Sequence, residues 1–437
     1  MKKIKNKYVK TINSLAFPIL MNYLISSIFE IMDKAIVGHY STEGFAGVGV
    51  AASVIYVITG SFGILAVAYN IVAAEIKGKC DDDMFEKAFC SAMMISIVIG
   101  IAFMIISFIG GRVFFKYVYG LHGNVLELLL RYYYPASVTV LLNMIIFLFS
   151  TYFRNKHNTK IALYSTAVAT TVNIFFDYAL VYGKYGLPEL GVSGAAWGSV
   201  IGLLAGIMVY VIDMKIVNKM QMNISFSRKA TVRMIKLYIP LLGQDIMECT
   251  VFTMIVTGIV SRLGTSGIVS YNLLENLGSM VILPMYAFST AAITISIQKK
   301  ASGDNIAVKS TLRTAIFMSL VVVIFISMAC ITLPEKILAL IVSDTKTIET
   351  TKTLIVYMIV LQFVKIFYQI YKSYLQGTNN EKFVFITSVA GSLLSVTWIY
   401  LLSIVLGIGG IYIGLSINYI FLALIYLIKI KESMQEN

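Results

Sequence analysis

Apolar residues run through this chain in long stretches broken by short polar segments. Many of the stretches exceed the ~20 residues that a helix needs to cross a bilayer. About twelve spans are predicted, near 12–37, 44–74, 84–109, 125–153, 160–183, 191–213, 235–262, 267–297, 308–333, 350–376, 382–406 and 409–430. A polar stretch, KIVNKMQMNISFSRKATVR (215–233), separates the first six from the last six. The basic start runs straight into the first span without a small-residue cleavage pattern, so no cleavable signal peptide is expected. The pattern predicts an all-α polytopic membrane protein.

The polar punctuation repeats. Pro18 in LAFPIL returns as Pro240 in LYIPLL, and Lys160 in RNKHNTK returns as Lys382 in QGTNNEK, both 222 residues on (240 − 18, 382 − 160). Asp81 after IKGKC returns as Asp304 after KKASG, 223 on (304 − 81). So steady an offset predicts two homologous six-helix lobes. The expected organisation is an N-terminal lobe, 1–214, a cytoplasmic linker, 215–234, and a C-terminal lobe, 235–437. Internal duplication of this kind is a common plan in secondary transporters.

Composition agrees, with 58% hydrophobic and 13% charged residues. The net charge of +13 raises a nucleic-acid reading, but its distribution argues for topology instead. With the N-terminus inside, internal segments hold roughly 25 of the Lys and Arg residues and external loops about eight, the positive-inside bias. Both termini are therefore expected in the cytoplasm, in the cell membrane, with the lipid bilayer and no nucleic acid as partner. Attraction of the basic segments to anionic lipid is a second effect.

Candidate chemistry is sparse. Cys80, Cys90, Cys249 and Cys330 are scattered without partner spacing, so neither a disulfide framework nor a zinc site is expected. His39, His122 and His157 fall in or beside loops, which weakens a membrane-embedded acyltransferase or metalloprotease. No GxxxxGK[ST] phosphate loop is present. The chain is not expected to be an enzyme or to hold a cofactor, and uphill transport would draw on an ion gradient.

Charges inside the spans are the informative minority, since each costs roughly 2.5–3.5 kcal/mol near the bilayer centre. Span 1 carries Glu30, Asp33 and Lys34, where Glu30 and Lys34 are spaced to pair. Span 5 carries Asn173 and Asp177, four apart on one face. At the 222 offset Asp33 and Asp177 become Ile255 and Ile399, so these acids are not a requirement of the fold. The second half has its own polar stripe: Gln244, Asp245 and Glu248 on span 7, Asn272, Glu275 and Asn276 on span 8, and Gln362, Lys365, Gln369 and Lys372 on span 10. The simplest pairing there is Lys365 with Glu248 or Glu275; the alternative is a charged wall of a substrate cavity.

These residues sit in a frame that resembles the multidrug and toxic compound extrusion (MATE) family over nearly the whole chain. LAFPILMNYLISSIFEIMDKAIVGHY is similar to the family's first helix, with an early proline and an Asp shortly before a VG. RNKHNTKIALYSTAVATTVNIFFDYALVYGKYGLPELGVSGAAWGSV resembles its most recognisable stretch, with N-x₃-D, a G-x-P-x-x-G loop and a G-A-A start of span 6. LGTSGIVSYN and YLQGTNNEKF resemble the matching second-half segments. The resemblance implies twelve helices in two six-helix lobes, arranged as a V around a central cavity.

It also implies roles. Asp33, Asn173 and Asp177 match a cation or proton site of the N-terminal lobe, with Ser199 where many members have a Thr. Pro18 matches a proline where the missing backbone hydrogen bond permits bending. Glu248 matches a seventh-helix carboxylate that some branches use for cation coupling. Lys365 falls where some branches place a tenth-helix Asp, and Lys34 follows Asp33 where a Thr is usual. The expected C-lobe cavity residues are Gln244, Glu248, Glu275, Lys365 and Gln369.

The implied function is secondary active export: H⁺ or Na⁺ coupled antiport of drugs or other amphipathic organic compounds by a monomer, through alternating access. One proton gains about 2.3 kcal/mol from 100 mV and about 1.4 kcal/mol from one pH unit. The alternative is a flippase for a lipid-linked oligosaccharide or cell-wall precursor. Twelve spans and the N-x₃-D motif count against it.

Overall fold

The computed structural model describes residues 2–40, 42–217, 225–339 and 345–435. The first half forms six helices: α1 (Lys2–Tyr40), α2 (Thr42–Gly78), α3 (Asp82–Tyr117), α4 (Gly123–Asn155), α5 (Lys160–Tyr182) and α6 (Val192–Ile212). The second half follows with α7 (Arg228–Ser261), α8 (Gly264–Ala301), α9 (Asn305–Thr332) and α10 (Ile355–Gln376). A last continuous helical element, Glu381–Gln435, is broken by a left-handed Gly407 into α11 (381–406) and α12 (408–435). Two short helices, Pro334–Ala339 and Thr345–Lys352, stand between α9 and α10. Among the described residues nine stretches are long and apolar enough to span a bilayer, the last holding both α11 and α12. With α1 and α5 the long helices among the described residues number twelve, six in each half.

Local chemistry sets the helix ends, and it does so twice. Asp81 caps α3 by accepting from the Met84 amide at 3.0 Å, and Asp304 caps α9 by accepting from the Ala307 amide at 3.0 Å. In each case the residue before the cap is left-handed, Cys80 at φ 59° and Gly303 at φ 79°. His157 before α5 and Asn379 before α11 share the same backbone state, at φ 59° and 63°. The polar residues that repeat along the sequence are thus the turn and cap positions of two equivalent folds.

The halves differ at one turn. Between α5 and α6 runs a loop with left-handed Gly183, Tyr185, Gly186 and Gly191. Between α11 and α12 there is only Gly407, whose φ 56°, ψ −132° reproduces Gly191 at φ 57°, ψ −134°. The second connection has kept the last glycine of the first and lost the loop.

By packing, the chain forms two compact units, and they do not divide at the linker. One comprises Phe17–Tyr238 and the other Met1–Ala16 with Ile239–Asn437. The division along the sequence at 214 and 235 therefore differs from the division by contact. Ile12, Leu15 and Ala16 bury against Phe288, Ala291 and Ile295 of the C-terminal unit. The first turns of α7 bury Ala230, Met234 and Leu237 in the N-terminal unit, where Arg233 pairs with Glu75 and the Ser227 amide donates to Ser91 Oγ at 3.0 Å. Both changes of unit come two residues before a proline, Pro18 in α1 and Pro240 in α7.

Candidate functional site

In the N-terminal unit α6 carries a glycine every fourth residue: Gly194, Gly198, Gly202 and Gly206. Small residues at that spacing let two helix backbones approach closely. A Cβ added at Gly194 would lie 2.6 Å from the Leu180 carbonyl carbon, and one at Gly202 2.6 Å from Asn173 Cβ. At Gly198 it would fall 2.0 Å from Asp177 Oδ1 and 2.7 Å from the Asp177 amide nitrogen. Ser165 Oγ closes the far end by donating to the Gly206 carbonyl at 2.9 Å.

That close crossing buries the predicted pair. Asn173 is 2% exposed and Asp177 0%. Asn173 Nδ2 donates to Asp177 Oδ1 and to Ser199 Oγ, both at 3.1 Å, so three predicted residues converge. The Asn173 side-chain oxygen is buried and accepts no hydrogen bond from any described residue. A fully buried carboxylate and amide on α5 form an acceptor-rich niche, which suits a proton or a small cation. Asp33, with Glu30 and Lys34, lies in segment 27–35, whose side chains are outside the described residues. Three residues on, the Ile36 carbonyl accepts from Tyr182 Oη at 3.0 Å, which ties that part of α1 to α5. Tyr40 Oη adds a second tie, donating to Glu189 Oε1 at 3.0 Å. That hydrogen bond raises the Tyr40 phenol above its ordinary range, so it remains a donor at neutral pH. Pro18 lies inside a continuous α1, buried.

The C-terminal unit has a different polar centre. Beyond Pro240, α7 widens into a π-type turn at Ile246–Phe252 that carries Glu248. Such turns are frequent at functional sites because they displace a side chain from the regular helical face. Glu248 pairs with Lys372. It also accepts from Gln244 Nε2 at 2.7 Å and from Tyr368 Oη at 3.2 Å. Gln244 bridges onward, donating to Ser388 Oγ at 2.8 Å and accepting from Gln376 Nε2 at 2.8 Å. Ser388 Oγ lies 2.9 Å from Tyr426 Oη. The network joins α7, α10, α11 and α12.

This corrects the expected ion pair. The partner of Glu248 is Lys372, two turns further along α10, and not Lys365. Glu275 acts on Lys365 through its charge but does not come within ion-pair range of it; it accepts from Tyr412 Oη at 3.0 Å. Lys365 lies over the Tyr419 ring at 5.6 Å. Gln369 makes a long contact to Ser373 Oγ at 3.4 Å, outside the Glu248 network. Helical periodicity put Lys365 and Lys372 on one face; Glu248, on the widened turn of α7, meets Lys372. Sequence reasoning also missed Ser388, Tyr426 and the glycine stripe of α6. The stripe had a signal, its four-residue spacing.

Comparison with known proteins adds a third line of observation. The model of the MatE family matches residues 18–179 and again 240–401, two segments 222 apart (240 − 18, 401 − 179). A protein named as a probable multidrug resistance protein NorM, from Thermotoga maritima, is 22% identical over 94% of this chain and 90% of its own length. A namesake from Photorhabdus laumondii is 24% identical over 99% of this chain and 98% of its own. A solved structure described as a MATE in the bent conformation superposes with a TM-score of 0.87 at 14% identity, covering 98% of this chain and 95% of that one.

Proposed function

The chain belongs to the MatE family, and from that premise we infer that it is a secondary active exporter of amphipathic organic compounds. Its transport is coupled to H⁺ or Na⁺ through Asp33, Asn173, Asp177 and Ser199. The observation that carries this reading is the burial of Asp177 at 0% exposure within α5, beside an amide with an unused acceptor. A carboxylate kept at that cost, where the repeat has Ile399, serves something other than folding. Protonation or cation binding neutralises the acids and lets α1 repack about Pro18. The whole-length similarity to proteins named for multidrug resistance supports export over the flipping of a lipid-linked oligosaccharide. The same reading places both termini in the cytoplasm of a plasma-membrane protein, with small organic molecules as its cargo.

The test is accumulation of fluorescent amphipathic compounds, cationic and anionic, in pump-deficient cells expressing the wild type, Asp33→Asn or Asp177→Asn. The wild type is expected to lower accumulation, a protonophore or Na⁺ removal to abolish that, and both variants to fail at normal membrane levels. Export that survives in both variants would move the coupling site out of the N-terminal unit.

A further inference from the structure

One face of α10 reads Gln362, Lys365, Gln369, Lys372, Gln376, at steps of three and four that bring all five onto one line. The two lysines are not equivalent. Lys372 is neutralised by Glu248. Among the described residues no carboxylate comes within ion-pair range of Lys365, and the ring of Tyr419 is the surface it rests on. The acid whose charge reaches it, Glu275, stays beyond ion-pair range and accepts from Tyr412 Oη. Gln362 is buried, with a side-chain oxygen that accepts no hydrogen bond from any described residue.

Lys365 is only partly buried, and polar side chains of α7 and α8 are exposed. Asn272, Asn276 and Ser279 of α8, and Cys249 of α7, are exposed at positions well inside spanning helices. Polar side chains exposed at membrane depth face water, since hydrocarbon has nothing to offer them. An ammonium outside ion-pair range of every described carboxylate, beside aromatic rings (Tyr419, with Tyr368 tilted against it at 4.8 Å), has the composition of an anion subsite.

We propose that Lys365 is the counter-ion for a single negative charge on the cargo, and that this exporter accepts amphipathic aromatic monoanions such as carboxylates or sulfonates. The lone ammonium sets the charge at one. The amide of Gln369, four residues after it, supplies a further donor, and the ring of Tyr419 supplies the apolar contact. This inference rests on the export reading and specifies its substrate class.

The experiment uses the full chain in proteoliposomes with imposed pH and Na⁺ gradients. Two impermeant probes of one shape are compared: naphthalene-2-sulfonate and naphthyl-trimethylammonium. The expected result is gradient-driven transport of the sulfonate by the wild type. In Lys365→Gln the ratio of sulfonate to ammonium rates should fall by about tenfold or more, the effect of losing one charged hydrogen-bond partner. Lys365→Arg should restore it. Transport of the ammonium probe without the sulfonate would overturn the anion site and leave the export reading standing, as would a ratio unchanged in Lys365→Gln. Transport of neither probe under either gradient would overturn both.

Discussion

At the scale of single residues, the two units spend their buried charges differently. The N-terminal unit keeps Asp177 with hydrogen-bonding neighbours, Asn173 and, through it, Ser199. The C-terminal unit keeps Glu248 locked to Lys372, with side chains only 15% and 14% exposed. Removing one member of such a pair strands the other, at roughly 3–5 kcal/mol, whereas removing both is tolerated. Lys372→Met and Glu248→Gln are therefore expected to lower the melting temperature in detergent, and the double variant to recover most of the loss. Single variants that melt like the wild type would show that the pair is solvated. Sequence reading found Asn173, Asp177 and Glu248 because an ionisable group inside an apolar run stands out. It misassigned the partner of Glu248, since regular helical spacing does not register a widened turn such as 246–252.

At the scale of elements, the α5–α6 crossing makes the site and recurs without it. Gly194 meets Leu180 and Gly198 meets Asp177; in the second half Gly410 meets Leu402 and Gly414 meets Ile399. The partners on α5 and α11 keep the 222 offset (402 − 180, 399 − 177). The glycines on α6 and α12 stand 216 apart (410 − 194, 414 − 198), because the intervening loop is shorter. The crossing therefore needs the glycines but not the acid, which is why the acid reads as function. Gly198→Ala would put a methyl 2.7 Å from a backbone nitrogen that no rotamer change can move. We expect it to cost about 1–3 kcal/mol of stability and to displace Asp177, so that export fails together with a drop in melting temperature. Wild-type melting and export would mean that the helices part freely. The loop-level difference between the halves escaped sequence reading because a uniform offset hides a deletion placed after the last matched residue.

At the scale of the whole molecule, the duplication was visible in the sequence as recurring prolines, caps and turn residues, and the family match starts anew at both prolines, 18 and 240. What the sequence did not reveal is that the packing boundary ignores the polar linker, since nothing in the composition of α1 or α7 marks residues 16 or 238 as a change of company. The two boundaries are themselves related by the repeat offset (238 − 16, 222). Two identical six-helix chains that traded their leading arms would give this pattern. Its practical consequence concerns scission. Cutting the polypeptide in the linker leaves each piece holding a strip of the other's core. Fragments 1–217 and 225–437, coexpressed, should copurify and function as a noncovalent pair, while either alone is degraded. Stable accumulation of a lone fragment would mean that the borrowed arm is dispensable.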